Sequence, residues 1–193
     1  MNLNIIIVSF YGYLLGSIPF GLLITKLFLK KDVRNVGSGN IGATNVLRTG
    51  KKFLAALTLL LDVLKGYLSV YLTLQFYNDL VYIAAFMCFI GHIFPIWLRL
   101  KGGKGVAAYL GIILGFSFTL AVIFVLTWML VLFLFKFSSL SSISSSFIVF
   151  LYALFLDDFF LNFYLFSTFI ILLFTHKENI LRLKNKTENK IKF

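Results

Sequence analysis

Acidic side chains are scarce in this chain: seven Asp and Glu stand against eighteen Lys and Arg, a formal net charge of +11. Loops so poor in carboxylates offer no oxygen cage for calcium or magnesium, so no metal and no cofactor is expected. One cysteine, Cys88, lies in an apolar run. It excludes a disulfide within the chain and reads as a small packing residue. There are two histidines, His92 and His176, and two prolines, Pro19 and Pro95. No G-x-S-x-G elbow occurs, and no Cys/His pair has the logic of a nucleophile. A covalent intermediate is therefore not expected. The opening MNLN lacks a basic n-region, and no small-residue cleavage site follows the first apolar run, so no cleavable signal peptide is expected.

Hydrophobic residues, by contrast, are in excess: 60% of the chain, with mean hydropathy +0.97. A soluble domain is about half apolar. The surplus falls in long runs, which predicts an all-α integral membrane protein, one membrane domain over residues 1–193. An isoelectric point near 9.8 would suit nucleic acid, but the basic residues flank the apolar runs, where the positive-inside rule expects them beside anionic lipid. No nucleic-acid partner is expected.

Seven spans follow in order. The first covers Leu3–Leu29, with a kink at Gly16-Ser17-Ile18-Pro19 whose freed backbone groups need partners. The second covers 53–76 and the third 80–98. The run 106–135 holds 30 residues, about 45 Å of helix, too long for one pass and short for two. Charge parity resolves it. The tail carries Lys177, Arg182, Lys184, Lys186, Lys190 and Lys192, and only a break near Gly115-Phe116-Ser117 returns both Lys136 and the tail to the basic side. The fourth helix is then short. Spans at 143–156 and 159–175 complete a seven-helix transmembrane bundle, N-terminus outside and C-terminus cytoplasmic. The serine-rich segment 138–146 reads as a cytoplasmic turn, with Ser139 or Ser142 facing a pocket as the alternative.

The densest polar stretch is GSGNIGATNVLR at 37–48, hung between oily spans. Its glycines turn N–H groups inward into an anion-binding nest, and Arg48 adds a planar fork for phosphate. Phosphate contacts are expected from Gly37, Ser38, Gly39, Asn40, Gly42, Thr44, Asn45 and Arg48. A plain inter-helix turn would need far fewer residues. A second basic loop, Lys101-Gly102-Gly103-Lys104-Gly105, precedes a helix start, a second anion site. It lacks Walker A spacing. His92 sits just before it in GHIFP. A third cluster holds His176 and Asn179. Asp62 and Lys65, three apart on one face of span two, either pair with each other or form a polar floor under the loops.

The motifs GSIPFG (16–21), GSGNIGATNVLR (37–48), DVLKG (62–66), GHIFP (91–95), KGGKGVA (101–107) and HKENILRL (176–183) occur in family order along the whole chain. Together they resemble the bacterial acyl-phosphate:glycerol-3-phosphate acyltransferase family, PlsY. The chain departs from the family pattern at Ala108 and Lys186 and is one residue short after Arg48. The resemblance implies transfer of a fatty acyl group from acyl phosphate to the sn-1 hydroxyl of glycerol 3-phosphate, giving lysophosphatidic acid and phosphate. It implies no acyl-CoA, no acyl carrier protein as direct donor and no metal. Nor does either histidine show the His-x4-Asp spacing of acyl-CoA-type acyltransferases: Trp97 and Leu181 stand there. The residues expected to carry the chemistry are Ser38, Asn40, Arg48, His92, Lys104, His176 and Asn179, with Lys101, Gly102, Gly103 and Ser142 also on substrate. Either a histidine or a substrate phosphate would take the hydroxyl proton. A monomer in the bacterial cytoplasmic membrane is expected, its site on the cytoplasmic side. The competing class is a transporter of a phosphorylated anion, disfavoured by polar groups gathered at one surface.

Overall fold

The computed structural model describes residues 3–191. Among them lie ten α-helices and no strand: α1 (Leu3–Ser17), α2 (Phe20–Leu29), α3 (Ala43–Leu47), α4 (Lys52–Phe76), α5 (Val81–Ile93), α6 (Val106–Phe116), α7 (Phe118–Phe135), α8 (Ser138–Ala153), α9 (Phe159–Thr175) and α10 (Lys177–Lys184). They fall into two compact units, Met1–Gly115 and Phe116–Phe193. Lys192, expected with the basic tail, lies outside the described residues.

In Met1–Gly115 the first apolar stretch breaks where Pro19 removes a donor and its ring clashes with the preceding turn. The freed carbonyls find partners. Ser17 O accepts from Trp97 Nε1 at 2.7 Å, and Ile18 O accepts from Lys65 Nζ at 2.8 Å. Apolar helices in lipid associate through close packing at small residues. A Cβ on Gly16 would strike the Cys88 carbonyl of α5, and one on Gly111 of α6 would strike the Val63 carbonyl of α4. Cys88 is fully buried, the packing role its apolar setting suggested.

In Phe116–Phe193, α7 and α8 are tied by Trp128 Nε1 donating to Ser142 Oγ at 3.2 Å. α8 and α9 stack Phe147 on Phe169 and Phe150 on Phe166. The tail folds back, with Ile191 N–H donating to Lys136 O at 2.8 Å.

The expected break in the long apolar run occurs at Ser117, between α6 and α7. The serine segment is a correction. It is not a turn: α8 starts at Ser138, five residues before the expected span. The hydroxyls satisfy themselves on the helix. Ser141, Ser142 and Ser145 donate to the carbonyls of Phe137, Ser138 and Ser141, at 2.9, 2.9 and 2.6 Å. This back-bonding lets a serine-rich run stay helical in apolar surroundings. Four stretches are long and apolar enough to cross a membrane, Leu3–Leu29, Lys52–Phe76, Asn78–Leu98 and Phe118–Phe135. A fifth is the pair α9 and α10, bent by 62°, while α6 and α8 are shorter apolar helices.

Candidate active site

The loop at 37–48 is built around one amide. Asn45, 2% exposed, extends Nδ2 to the carbonyls of Val33, Val36 and Asn40 at 2.9, 2.9 and 2.7 Å. Its Oδ1 accepts from Ser38 N at 3.0 Å and from Arg48 Nη1 at 3.5 Å. Gly37 and Gly39 take left-handed φ values of 56° and 71°, which is what lets the chain wrap one side chain. At Gly37 a Cβ would meet Asn45 Oδ1 and Arg48 Cδ at 2.5 and 2.6 Å. Asp32 caps the 3-10 turn Val33–Asn35, accepting from Arg34 N at 2.9 Å. The Arg34 guanidinium holds the Asp32 carboxyl down to about 2.

Asn45 therefore spends its amide on the loop itself rather than on a ligand. Two expected nest donors are likewise committed: Ser38 N–H to Asn45 Oδ1, and Gly39 N–H to Val36 O at 3.0 Å. What the pinned loop presents outward is the exposed side chains of Ser38 and Arg48. Asn40 Oδ1 is buried without a hydrogen-bond partner. Gly42 precedes α3 and carries Thr44 on its first turn. No carboxylate lies within ion-pair distance of Arg48 among the described residues.

The second loop lies against the C-terminal end of α5. Gly102 N–H donates to Ile93 O at 2.9 Å, and Gly103 N–H to His92 O at 3.0 Å. These bonds satisfy orphan carbonyls at a helix end. The two glycines expected to donate to phosphate are thus spent on the helix. Close approach also demands them, since a Cβ on Gly103 would overlap the His92 ring and one on Gly102 the His92 carbonyl. Lys101 is exposed and Lys104 half-buried.

Next to this loop, His92, which sequence left apart, joins Asp62 and Lys65. Asp62 and Lys65 pair at 2.8 Å, and His92 Nδ1 lies 3.7 Å from the same Asp62 oxygen. All three are buried. Lys65 also reaches the broken helix at Ile18 O, with the Phe20 ring 5.7 Å away. A buried ion pair is favoured only when further hydrogen bonds satisfy its remaining lone pairs and protons; the α1–α2 break supplies an acceptor to Lys65, whereas Asp62 Oδ1, though ion-paired, and His92 Nδ1 make no hydrogen bond among the described residues. Of the two readings of Asp62 and Lys65, the pairing is what the structure shows.

In the other unit, His176 ends α9 at the bend. Its Nδ1 lies 2.9 Å from Leu172 O. A carbonyl only accepts, so the proton sits on Nδ1 and Nε2 is the basic nitrogen of the neutral ring. Asn179 Nδ2 donates to Glu188 Oε1 at 2.7 Å. Ser139 Oγ donates to that same oxygen at 2.8 Å, and Arg182 Nε donates to Oε2 at 2.8 Å. Partial burial pushes the Glu188 carboxyl up, but the hydrogen bonds from Arg182, Asn179 and Ser139 outweigh it and hold the group below the usual range. Sequence reading missed Glu188. Its signal was scarcity: it is one of seven acids, stranded in a lysine-rich tail. Of the two serine candidates, Ser139 serves Glu188 and Ser142 bonds Trp128 and Ser138.

Broken apolar helices joined by acid-poor, basic loops define a class of all-helical, membrane-embedded protein. The family described as glycerol-3-phosphate acyltransferase matches residues 6–186. The chain is 48% identical over 187 residues to the glycerol-3-phosphate acyltransferase of Pelagibacter ubique (strain HTCC1062), covering 97% of each. It is 48% identical over 193 residues to that of Mesorhizobium japonicum, covering 99% of this chain and 98% of the other. Among solved structures it is similar to PlsY, an integral membrane glycerol 3-phosphate acyltransferase. The glycerol 3-phosphate form gives a TM-score of 0.93 at 32% identity, covering 98% of this chain and 96% of that one. The lysophosphatidic acid form gives 0.91 at 30% with the same coverage. The chain belongs to the glycerol-3-phosphate acyltransferase family.

Proposed function

We propose that this chain transfers a fatty acyl group from acyl phosphate to the sn-1 hydroxyl of glycerol 3-phosphate, releasing lysophosphatidic acid and phosphate. The observation that carries the reading is the pinned loop, which holds Arg48 and Ser38 at its surface with no carboxylate among the described residues paired to the arginine. A cation kept rigid and unneutralised is preorganised for anionic substrate oxygens. The solved relative's glycerol 3-phosphate and lysophosphatidic acid forms support the same substrate and product here.

Acyl phosphate is a mixed anhydride and already activated, so no enzyme nucleophile is required. The hydroxyl oxygen bonds the carbonyl carbon, the carbon–phosphate oxygen bond breaks, and phosphate leaves with the electron pair. Arg48 and Lys104, with Ser38 and Asn40, stabilise charge on the phosphates. Lys101 contributes a further cation. Holding the hydroxyl beside the carbonyl supplies proximity. His92 is a positioning residue, because its ring is walled by Gly103 and Asp62. A substrate phosphate oxygen then takes the hydroxyl proton. Seven spans forming one membrane domain, a cytoplasmic site and a monomer complete the proposal. The basic loops and tail support its sidedness.

The test is transfer to labelled glycerol 3-phosphate by purified protein in detergent. Acyl phosphate supports turnover with acylation at sn-1. Comparable rates with acyl-CoA or acyl carrier protein would refute the donor assignment. In intact cells, cysteines introduced at Asn78 and Asp157 react with an impermeant reagent, and labelling of one at Lys186 would sink the seven-span arrangement.

A further inference from the structure

Lys26 near the end of α2, Arg34 in the 33–35 turn, and Arg99 and Lys101 beyond the 96–98 turn line one open groove with Leu22, Trp97 and Leu98, about 480 Å³ in volume. Four cations around one space repel unless something offsets them. The protein supplies one carboxylate, Asp32, and Arg34 already takes both its oxygens, with Nε at 2.9 and 3.2 Å and Nη2 at 2.6 Å. The remaining acids of Met1–Gly115 are spent or distant in the chain: Asp62 is buried with Lys65, and Asp79 sits in the turn Asn78–Leu80. Among the described residues no carboxylate reaches ion-pair distance of Lys26, Arg99 or Lys101.

The backbone under the groove is also unusual. Arg99 and Leu100 are successive non-glycine residues at φ 52° and 61°, a conformation that costs energy and persists only where surroundings impose it. Hydrogen bonds from Arg99, Leu100 and Lys101 N–H to the carbonyls of Ile96, Pro95 and Leu98, at 3.1, 3.0 and 3.1 Å, hold it. Trp97 is half exposed, yet its Nε1–H is fastened to Ser17 O. On the same elements, next in sequence to lining residues, Leu23, Leu27, Ile96 and Leu100 are exposed.

Cationic lining, exposed aliphatic flanks and a fixed tryptophan at the end of apolar spans match an amphiphile with a negative head. The volume exceeds what a lone phosphate ion fills, and such an ion has no use for the apolar flanks. We propose that this groove binds the phosphate of an anionic bilayer phospholipid, its headgroup between Lys26 and Arg99 and its chains along the exposed aliphatic side chains of the same elements. The site requires only that the chain is membrane-embedded, and it stands whatever the acyl donor.

Full-length protein is reconstituted in phosphatidylcholine vesicles containing phosphatidylglycerol with brominated chains as a minor component. Trp128→Phe leaves Trp97 as the reporting tryptophan. Quenching by brominated phosphatidylglycerol exceeds that by brominated phosphatidylcholine at equal content. Lys26→Gln with Arg99→Gln weakens this preference about 30-fold, at roughly 1 kcal/mol per cation. Lys30→Gln with Lys31→Gln removes equal charge outside the groove and leaves the preference intact, as does the charge-conserving Lys26→Arg with Arg99→Lys. Equal quenching by the two lipids in the otherwise unsubstituted protein overturns the proposal without recourse to any variant. Relief of quenching by inorganic phosphate or glycerol 3-phosphate overturns it in favour of a soluble-anion site. Acyl transfer in the same vesicles is scored separately, so failure of the enzyme reading and failure of the lipid site are distinguishable.

Discussion

Asn45 and Asn179 are both buried beside basic residues, yet they are held in opposite ways. Asn45 is the centre of its own loop: its partners lie within twelve residues, and all are neutral backbone groups apart from a long contact to Arg48. Asn179 is held from outside, by a carboxylate of the tail that also binds Ser139, 49 residues away in sequence, and Arg182. A neutral, local clamp keeps its geometry at any ordinary pH and forms as the loop forms. A charged, long-range clamp depends on ionisation and on the tail docking. The same residue type at two candidate positions is thus rigid for one reason and conditional for another.

The largest effect tests the local clamp. Asn45→Ala leaves three carbonyls and the Ser38 N–H without their partner. At about 1 kcal/mol per lost bond, more where the orphan stays buried, destabilisation of about 4 kcal/mol is expected. Loss of kcat/KM by more than about a hundredfold accompanies it, read from melting curves and initial rates. Asn45→Asp fares no better, because a carboxylate facing three carbonyls cannot donate. An active, normally stable Asn45→Asp would break the comparison.

Next come the side chains the clamp presents. Arg48→Lys keeps the charge and loses the bidentate fork; Lys104→Ala loses a cation. Charge-assisted bonds contribute about 1.5–3 kcal/mol, so each variant lowers kcat/KM about ten- to a hundredfold in a glycerol 3-phosphate titration. Arg48→Lys melts near the parent, since an exposed cation contributes little to folding. If it melts early while its folded fraction keeps full specific activity, Arg48 is structural.

Smaller effects probe the charged clamp. Glu188→Gln keeps the shape but turns one of the two accepting oxygens into an NH2 that faces a donor, so either the bond from Arg182 or that from Asn179 is lost, at a cost of about 1.5 kcal/mol. A several-fold rise in KM is expected if Asn179 loosens. The acid side should also separate the regions. The Glu188 carboxyl lies below its ordinary value in the folded chain, so its stabilisation is present above the unfolded pKa and is lost as pH falls through the folded one. Glu188→Gln flattens that part of the stability profile. Asp32, held to about 2 by Arg34, behaves likewise lower down. The cap on the 33–35 turn is lost between roughly pH 4, the ordinary range of Asp, and its folded value of about 2. Indistinguishable profiles for Glu188→Gln and the parent below pH 5 would remove the ionic half of the contrast.

Sequence by itself determined the helical membrane class, the breaks at Pro19 and Ser117, the span edges near residues 29, 52, 76 and 175, and the loops that carry polar groups. Hydropathy and proline geometry act over one span or one turn, and charge parity counts spans along the chain without reference to how they pack. It also marked Arg48, Lys104, His92, His176 and Asn179 as residues out of place in oil. Only the tertiary structure decided what each polar group does. Asn45 reads as a ligand until its amide is seen holding Val33, Val36 and Asn40, and Gly102 and Gly103 read as phosphate donors until they cap α5. His92 meets Asp62 across two helices, the serines of α8 bond their own helix, and Glu188 reaches back to Ser139. In an apolar surrounding an unpaired polar group costs several kcal/mol. Each must therefore find a partner wherever the fold provides one, and that partner is set by packing between segments far apart in the chain.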